Sequence, residues 1–194
     1  MSIAVLSTLI ALMLTQADVP DAGFAHLRVA ERRIETTHAL GFSFSATQAY
    51  EPAGPDHRVA RYNGTPFEVS FAGFLRDDRA IMIYAERVAD GSGAANYTDQ
   101  PPSDWPFDGF RTRPLRCIRL AEADLEGEYD LLWLRAHGLD PLGGLWLEQH
   151  LLSTADFNEE VVVTLIARTD DCEDRAFARS MIAGLKRDLH AARR

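Results

Sequence analysis

The chain has 194 residues, is 46% hydrophobic and 25% charged, and carries a formal net charge of -9. That composition belongs to a globular protein long enough to bury one core, and it excludes a collagen-like repeat, a disordered tail and a multi-span membrane protein. The negative balance also opposes nonspecific binding to nucleic acid or anionic lipid, because phosphate attracts the opposite sign.

Ile3 to Leu14 is an apolar run broken only by Ser7 and Thr8, and no charged side chain precedes Asp18. It suits the core of a signal peptide and is too short to span a bilayer, and Thr15-Gln16-Ala17 offers small residues for peptidase cleavage. The expectation is a signal peptide over 1–17 and a single domain over 18–194. The protein would then be periplasmic or secreted, with no membrane span once the leader is removed. The alternative is a buried N-terminal helix or strand.

Between Asp18 and Thr37 the pattern is ambiguous, since Phe24, Leu27, Glu31 and Ile34 fit helical spacing while Arg33 to Thr36 reads as strand. Phe42 and Phe44 alternate with Ser43 and Ser45 in a half-buried strand. Asn63-Gly64, between His57–Tyr62 and Thr65–Leu75, predicts a two-residue hairpin turn, because both central residues need positive φ. Arg76 to Arg79 turns the chain into a strand over Ala80–Val88, and Phe67, Val69 and Phe71 are expected to face Ile81 and Ile83. Ala89 to Phe110 holds three prolines and three glycines and reads as a long loop. Further strands are expected at Leu115–Leu120, Tyr129–Ala136, Gly144–Leu152 and Glu160–Arg168. Asp171 and Asp174 then open a helix from about Glu173 to Ala192, with Phe177, Met181 and Leu185 on its apolar stripe. The fold class is α+β: an antiparallel sheet with a C-terminal helix packed on it, and a second, N-terminal helix as one reading of the ambiguous segment.

The leader, the early strand Gly41-Phe-Ser-Phe-Ser, the meander, and the terminal pair Val161-Val-Val-Thr-Leu-Ile-Ala and Phe177-Ala-Arg-Ser-Met-Ile-Ala-Gly-Leu-Lys together resemble the PsbP-like α/β/α sandwich family. The resemblance implies a non-enzymatic accessory or binding domain. It carries no catalytic motif.

Cys117 and Cys172 lack any zinc-like spacing, and in an oxidising compartment such a pair reads as one disulfide. Were they unpaired, Cys117 among Arg113, Arg116 and Arg119 would be the reactive thiol. Of the 20 basic residues only Lys186 is lysine, so no phosphate loop ending in Gly-Lys-Ser/Thr can be written. No nucleophile elbow, dinucleotide fingerprint, H-E-x-x-H or calcium loop occurs, so neither a cofactor nor a metal is expected.

Two regions could carry a function. Tyr129–Ala136 and Gly144–Leu152, linked through His137-Gly-Leu-Asp140-Pro, read as a hairpin, one face of which carries Trp133 and Arg135 beside Trp146, Glu148 and His150: two stacking indoles, a charge anchor and an imidazole. The other reading has Arg135 pairing with Glu148 and the indoles packing under a helix. The loop Tyr97 to Phe110 alternates aromatics (Tyr97, Trp105, Phe107) with carboxylates, and would either grip a ligand or fold back as a lid over the core. The leading expectation is an exported binding or accessory protein of the cell envelope. It would contact a small molecule or an envelope protein through these two surfaces. The alternative is a small periplasmic hydrolase using His150 as base and Glu148 as its orienting or acid partner.

Overall fold

The structure is a computed structural model describing residues 23–194, so the leader expected at 1–17 lies outside the described residues. Four short strands, β1 (Leu27–Ala30), β2 (Arg33–Thr36), β3 (Phe42–Ala46) and β11 (Leu189–Arg193), form one sheet in that order. The larger sheet comprises β4 (Glu51–Tyr62), β5 (Thr65–Arg76), β6 (Arg79–Val88), β7 (Pro102–Ser103), β8 (Phe110–Leu120), β9 (Gly143–Ser153) and β10 (Glu159–Thr169). Its order is β4-β5-β6-β10-β9-β8-β7, and every pairing is antiparallel. Among the described residues two α-helices, α1 (Tyr129–Ala136) and α2 (Arg175–Asp188), complete the α+β fold.

The large sheet is covered on both faces, which is why β10 reads Val-Val-Val-Thr-Leu-Ile with no polar alternation. Phe71, Met82, Leu145, Leu147 and Ile166 point to the α1 face, where Trp133 and Leu134 pack on them. Phe74, Ile81, Ile83, Val163 and Leu165 point the other way, under Ile34, Phe42 and Phe44 of the small sheet and Ile182 and Leu185 of α2. Each such side chain contributes roughly 1.5–3 kcal/mol on burial, so two continuous layers hold the sheet between them.

The Asn63-Gly64 hairpin forms as expected: both residues have positive φ, and Tyr62 pairs with Thr65. The Cys117–Cys172 disulfide is present, with Cα atoms 5.5 Å apart and a sequence separation of 55. It ties β8 to the segment entering α2, and a loop of that length corresponds to roughly 4 kcal/mol of chain entropy.

Three expectations are corrected, and the ambiguous segment before Gly41 is decided. Tyr129–Ala136 is a helix, not a strand. Its buried positions Asp130, Leu131, Trp133 and Leu134 follow helical spacing, and Arg-Ala-His-Gly-Leu is a helix stop. Gly138 takes φ +93°, the Leu139 N–H donates to the Leu134 carbonyl at 3.0 Å, and the Gly138 N–H donates to that of Arg135 at 3.1 Å, which together make a Schellman cap. Phe67, Val69 and Phe71 do not share a face with Ile81 and Ile83. The two-residue turn Asp77-Asp78 pairs odd with even positions, so Phe71 sits opposite Tyr84 and Phe74 opposite Ile81. The C-terminal helix ends at Asp188 rather than Ala192, because Leu189–Arg193 pairs with β3 instead, and its buried stripe is Ala178, Ile182 and Leu185 while Phe177 is exposed. The segment before Gly41 forms the β1–β2 hairpin, with Glu31 at positive φ in its turn, and no helix there among the described residues.

Candidate functional site

Four acids enter the largely apolar α1 face of the large sheet. Glu86 on β6 and Glu160 on β10 are direct cross-strand partners, and both are buried (6% and 2% exposed). Asp130 and Glu128, from α1 and the residue capping its start, descend toward them. Between helix and sheet lies a cavity of about 90 Å³, floored by Glu86, Glu160, Val162 and Thr164 and rimmed by Tyr97, Arg113 and Gln149.

These acids are neutralised unequally. Asp130 Oδ1 accepts from the Arg58 Nη2 at 2.8 Å and its Oδ2 from the Tyr84 hydroxyl at 2.9 Å. The Arg58 guanidinium also lies over the Tyr129 ring, 4.8 Å from its centroid. Burial still raises the Asp130 carboxyl above the usual range, against the pull of Arg58. For Glu86, burial, then the facing Glu160 and Asp130, push the carboxyl well above the ordinary range against the pull of Arg58 and Arg113. Glu160 is pushed up to about 7 by burial despite a hydrogen bond from the Tyr97 hydroxyl. Glu128 also rises to about 7, from burial and the nearby Asp130. One oxygen each of Glu160 and Glu128, Oε2 in both, is buried without a hydrogen-bond partner.

A second constellation sits on the opposite face. Ser103 Oγ lies 2.9 Å from His150 Nδ1, and His150 Nε2 lies 2.9 Å from Glu148 Oε1, which also receives Lys186 Nζ at 2.5 Å. Burial lowers the His150 pKa. The Glu148 carboxyl, which burial would raise, is brought below its usual range by hydrogen bonds from His150 and Lys186. An ionised Glu148 can only accept, so the neutral imidazole carries its proton on Nε2 and leaves Nδ1 to accept from Ser103. Ser103 Oγ also accepts from the Trp105 backbone N–H at 3.2 Å and lies 3.0 Å from the Trp105 carbonyl. The Trp105 ring stands edge-on to His150 at 4.6 Å.

The residues expected to form one aromatic face are therefore divided. Trp133 is in α1, packed edge-to-face on Phe71 at 5.4 Å, on the opposite side of the sheet from Trp146. Trp146 packs with Ala167, Ala178 and the disulfide's Cys117. Arg135 does not meet Glu148; it binds Glu122 at 2.8 and 2.9 Å on the exposed side of α1. Only Trp146, Glu148 and His150 share the expected face, because all three are on β9 with spacing of two. The loop also splits: Tyr97 joins the acidic cavity, while Trp105 and Phe107 fold onto the other layer, Phe107 stacking on Phe42 at 5.5 Å.

No family model, curated protein or solved structure matches this chain. Among the described residues, no group of three or more His, Cys, Asp or Glu side chains is arranged to hold a metal ion, and no helix is long and apolar enough to cross a membrane. The acidic cavity was missed because Glu86 and Glu160 stand at the ends of their strand patterns, where a carboxylate reads as a boundary. The available signal was parity: Glu86 falls in phase with Met82 and Tyr84, which the turn at Asp77-Asp78 sends inward.

Proposed function

We propose that this protein is an exported binding module that takes a small polar ligand into the cavity between α1 and the large sheet. One observation carries the reading: two buried carboxylate oxygens, Glu160 Oε2 and Glu128 Oε2, line one cavity with no donor supplied by the fold. A protein built only for stability rarely leaves two such acceptors on the wall of one cavity, since each costs about 1–3 kcal/mol. The Cys117–Cys172 disulfide supports an oxidising compartment, and the PsbP-like resemblance supports a binding over a catalytic role. The test is a fragment screen by heteronuclear NMR on the full chain. Ligands are expected to shift Tyr97, Tyr84 and Glu160, and Leu134→Trp, which fills the cavity, to abolish the shifts. Shifts confined to other surfaces would refute the reading.

The Ser103–His150–Glu148 chain favours a second reading, an acyl hydrolase. His150 Nδ1 would take the proton from Ser103 Oγ as that oxygen attacks a carbonyl carbon. The leaving group would then take the proton from Nδ1, and water would release the acyl group by the reverse path. It ranks second because Glu148 and Lys186 line the adjoining groove, whereas Ser103 and His150 do not. Labelling by a fluorophosphonate, lost in Ser103→Ala and in His150→Ala, is the expected result for an enzyme. Unlabelled wild-type protein rejects it.

A further inference from the structure

Resting on the binding reading above, we infer that the ligand of the α1-side cavity is a small organic cation, an ammonium or guanidinium group, admitted in exchange for protons. Setting aside the Arg58–Asp130 pair, three carboxyls face the cavity (Glu86, Glu160 and Glu128) against one guanidinium, Arg113 on β8. Ionised, they leave the site two charges short of neutrality, and burial makes that imbalance expensive. Protons or a cation must supply the difference.

The hydrogen-bonding inventory selects the class. Glu160 Oε2 and Glu128 Oε2 accept and cannot donate when ionised, so a ligand there must bring donors, and an anion would meet three carboxyls. The phenols are already directed at acids, Tyr84 to Asp130 and Tyr97 to Glu160, and their rings add π faces that favour a cation. A divalent metal fits less well, because the carboxyls do not converge in a ligand cluster. At about 90 Å³ the cavity takes a charged headgroup rather than a drug-sized body.

Exchange follows from the same groups. Glu86, Glu160 and Glu128 all hold protons to higher pH than ordinary carboxyls. The other charged or titratable groups facing them are Arg58 and Tyr62 from β4, Tyr84 from β6, Asp130 from α1, Tyr97 from the loop and Arg113 from β8. The phenols are all raised, so none of them ionises between pH 6 and 8. An entering cation therefore displaces carboxyl protons, and its affinity rises with pH until they are gone.

The experiment is titration calorimetry on the full chain with methylguanidinium and methylammonium. Methylurea serves as the neutral isostere, acetate as the anion, and magnesium, calcium and zinc as metals, each at pH 6, 7 and 8, the organic probes in both phosphate and MOPS and the metals in MOPS alone. The cations are expected to bind about tenfold tighter at pH 8 than at pH 6, with a buffer-dependent heat that reports proton release. Glu160→Gln, which mimics the protonated side chain and so keeps the fold, is expected to weaken them at least about tenfold and flatten the pH dependence. Methylurea binding as well as methylguanidinium, a metal binding in their place, or an unchanged Glu160→Gln overturns the inference. If neutral fragments still shift Tyr97 while no cation binds, the cation class fails and the binding reading stands. If nothing shifts the cavity, both fail.

Discussion

Glu86 and Glu160 stand directly opposite one another on β6 and β10, two acids in a cross-strand position where like charges destabilise a sheet. The pairing persists because burial and mutual repulsion keep a proton on the pair to higher pH than an ordinary carboxyl holds one, which removes the like-charge repulsion. Neutral in this way, the pair completes an otherwise apolar layer; ionised, it becomes the binding surface proposed above.

The fold should therefore lose stability as pH rises. Glu86, Glu160 and Glu128 have folded-state pKa values raised above their unfolded value, to about 7 for Glu160 and Glu128, so from pH 4.5 upward the folded protein binds more protons than the unfolded chain. The contribution of Glu160 and Glu128 is fully present below 4.5 and falls away up to about 7, and that of Glu86 is lost as pH rises through its own raised value. Urea denaturation of Glu160→Gln is expected to show a gain of about 1–3 kcal/mol over wild type at pH 8 and little change at pH 4.5. Equal shifts at both pH values would contradict the shared proton.

Breaking the Arg58–Asp130 pair should be costly, since both side chains are about nine-tenths buried. Arg58→Met strands the Asp130 carboxylate and is expected to destabilise by about 3–5 kcal/mol, whereas Arg58→Met with Asp130→Leu recovers most of it. Chemical denaturation of the two single variants and the double variant measures this cycle.

The two indoles make a test of the corrected topology. Trp133→Ala and Trp146→Ala each remove a large core side chain and are expected to cost about 3–5 kcal/mol. Because they lie in different layers, the double variant should be additive within about 0.5 kcal/mol. A larger coupling energy would mean that the rings touch.

Removing the disulfide by Cys117→Ser with Cys172→Ser should lower stability by roughly 4 kcal/mol, read from urea midpoints. Intact mass of protein purified from its host is expected to lack residues 1–17 and to rise by about two hydrogens on reduction.

Gly144 marks a position where packing leaves no latitude. A Cβ there would lie 2.7 Å from the Thr169 carbonyl and 3.3 Å from Cys172 Sγ. Gly144→Ala is expected to cost about 1–3 kcal/mol and to slow reformation of the disulfide, both measurable by refolding from the reduced state.

Local chemistry determined much of this protein from the sequence alone. Positive φ at Asn63-Gly64 and the alternation of Phe42 and Phe44 depend on neighbours a few residues away, and each was readable; the helix start reads as a capping pair at Asp171 and Asp174, whereas Asp174 itself is the cap, accepting from the Phe177 N–H. Tyr129–Ala136 was ambiguous because eight apolar-rich residues satisfy both periods, and the Schellman cap at Gly138 that decides it was read as a hairpin link. Cys117 and Cys172 could be paired because they were the only two cysteines. What only the tertiary structure decided was the meeting of distant acids and bases: Glu86 with Glu160, Arg58 with Asp130, Ser103 with His150. Those contacts depend on strand order and on which face each turn selects, and a one-residue change of register would send Glu86, Glu160, Arg58 or His150 to the other side of the sheet.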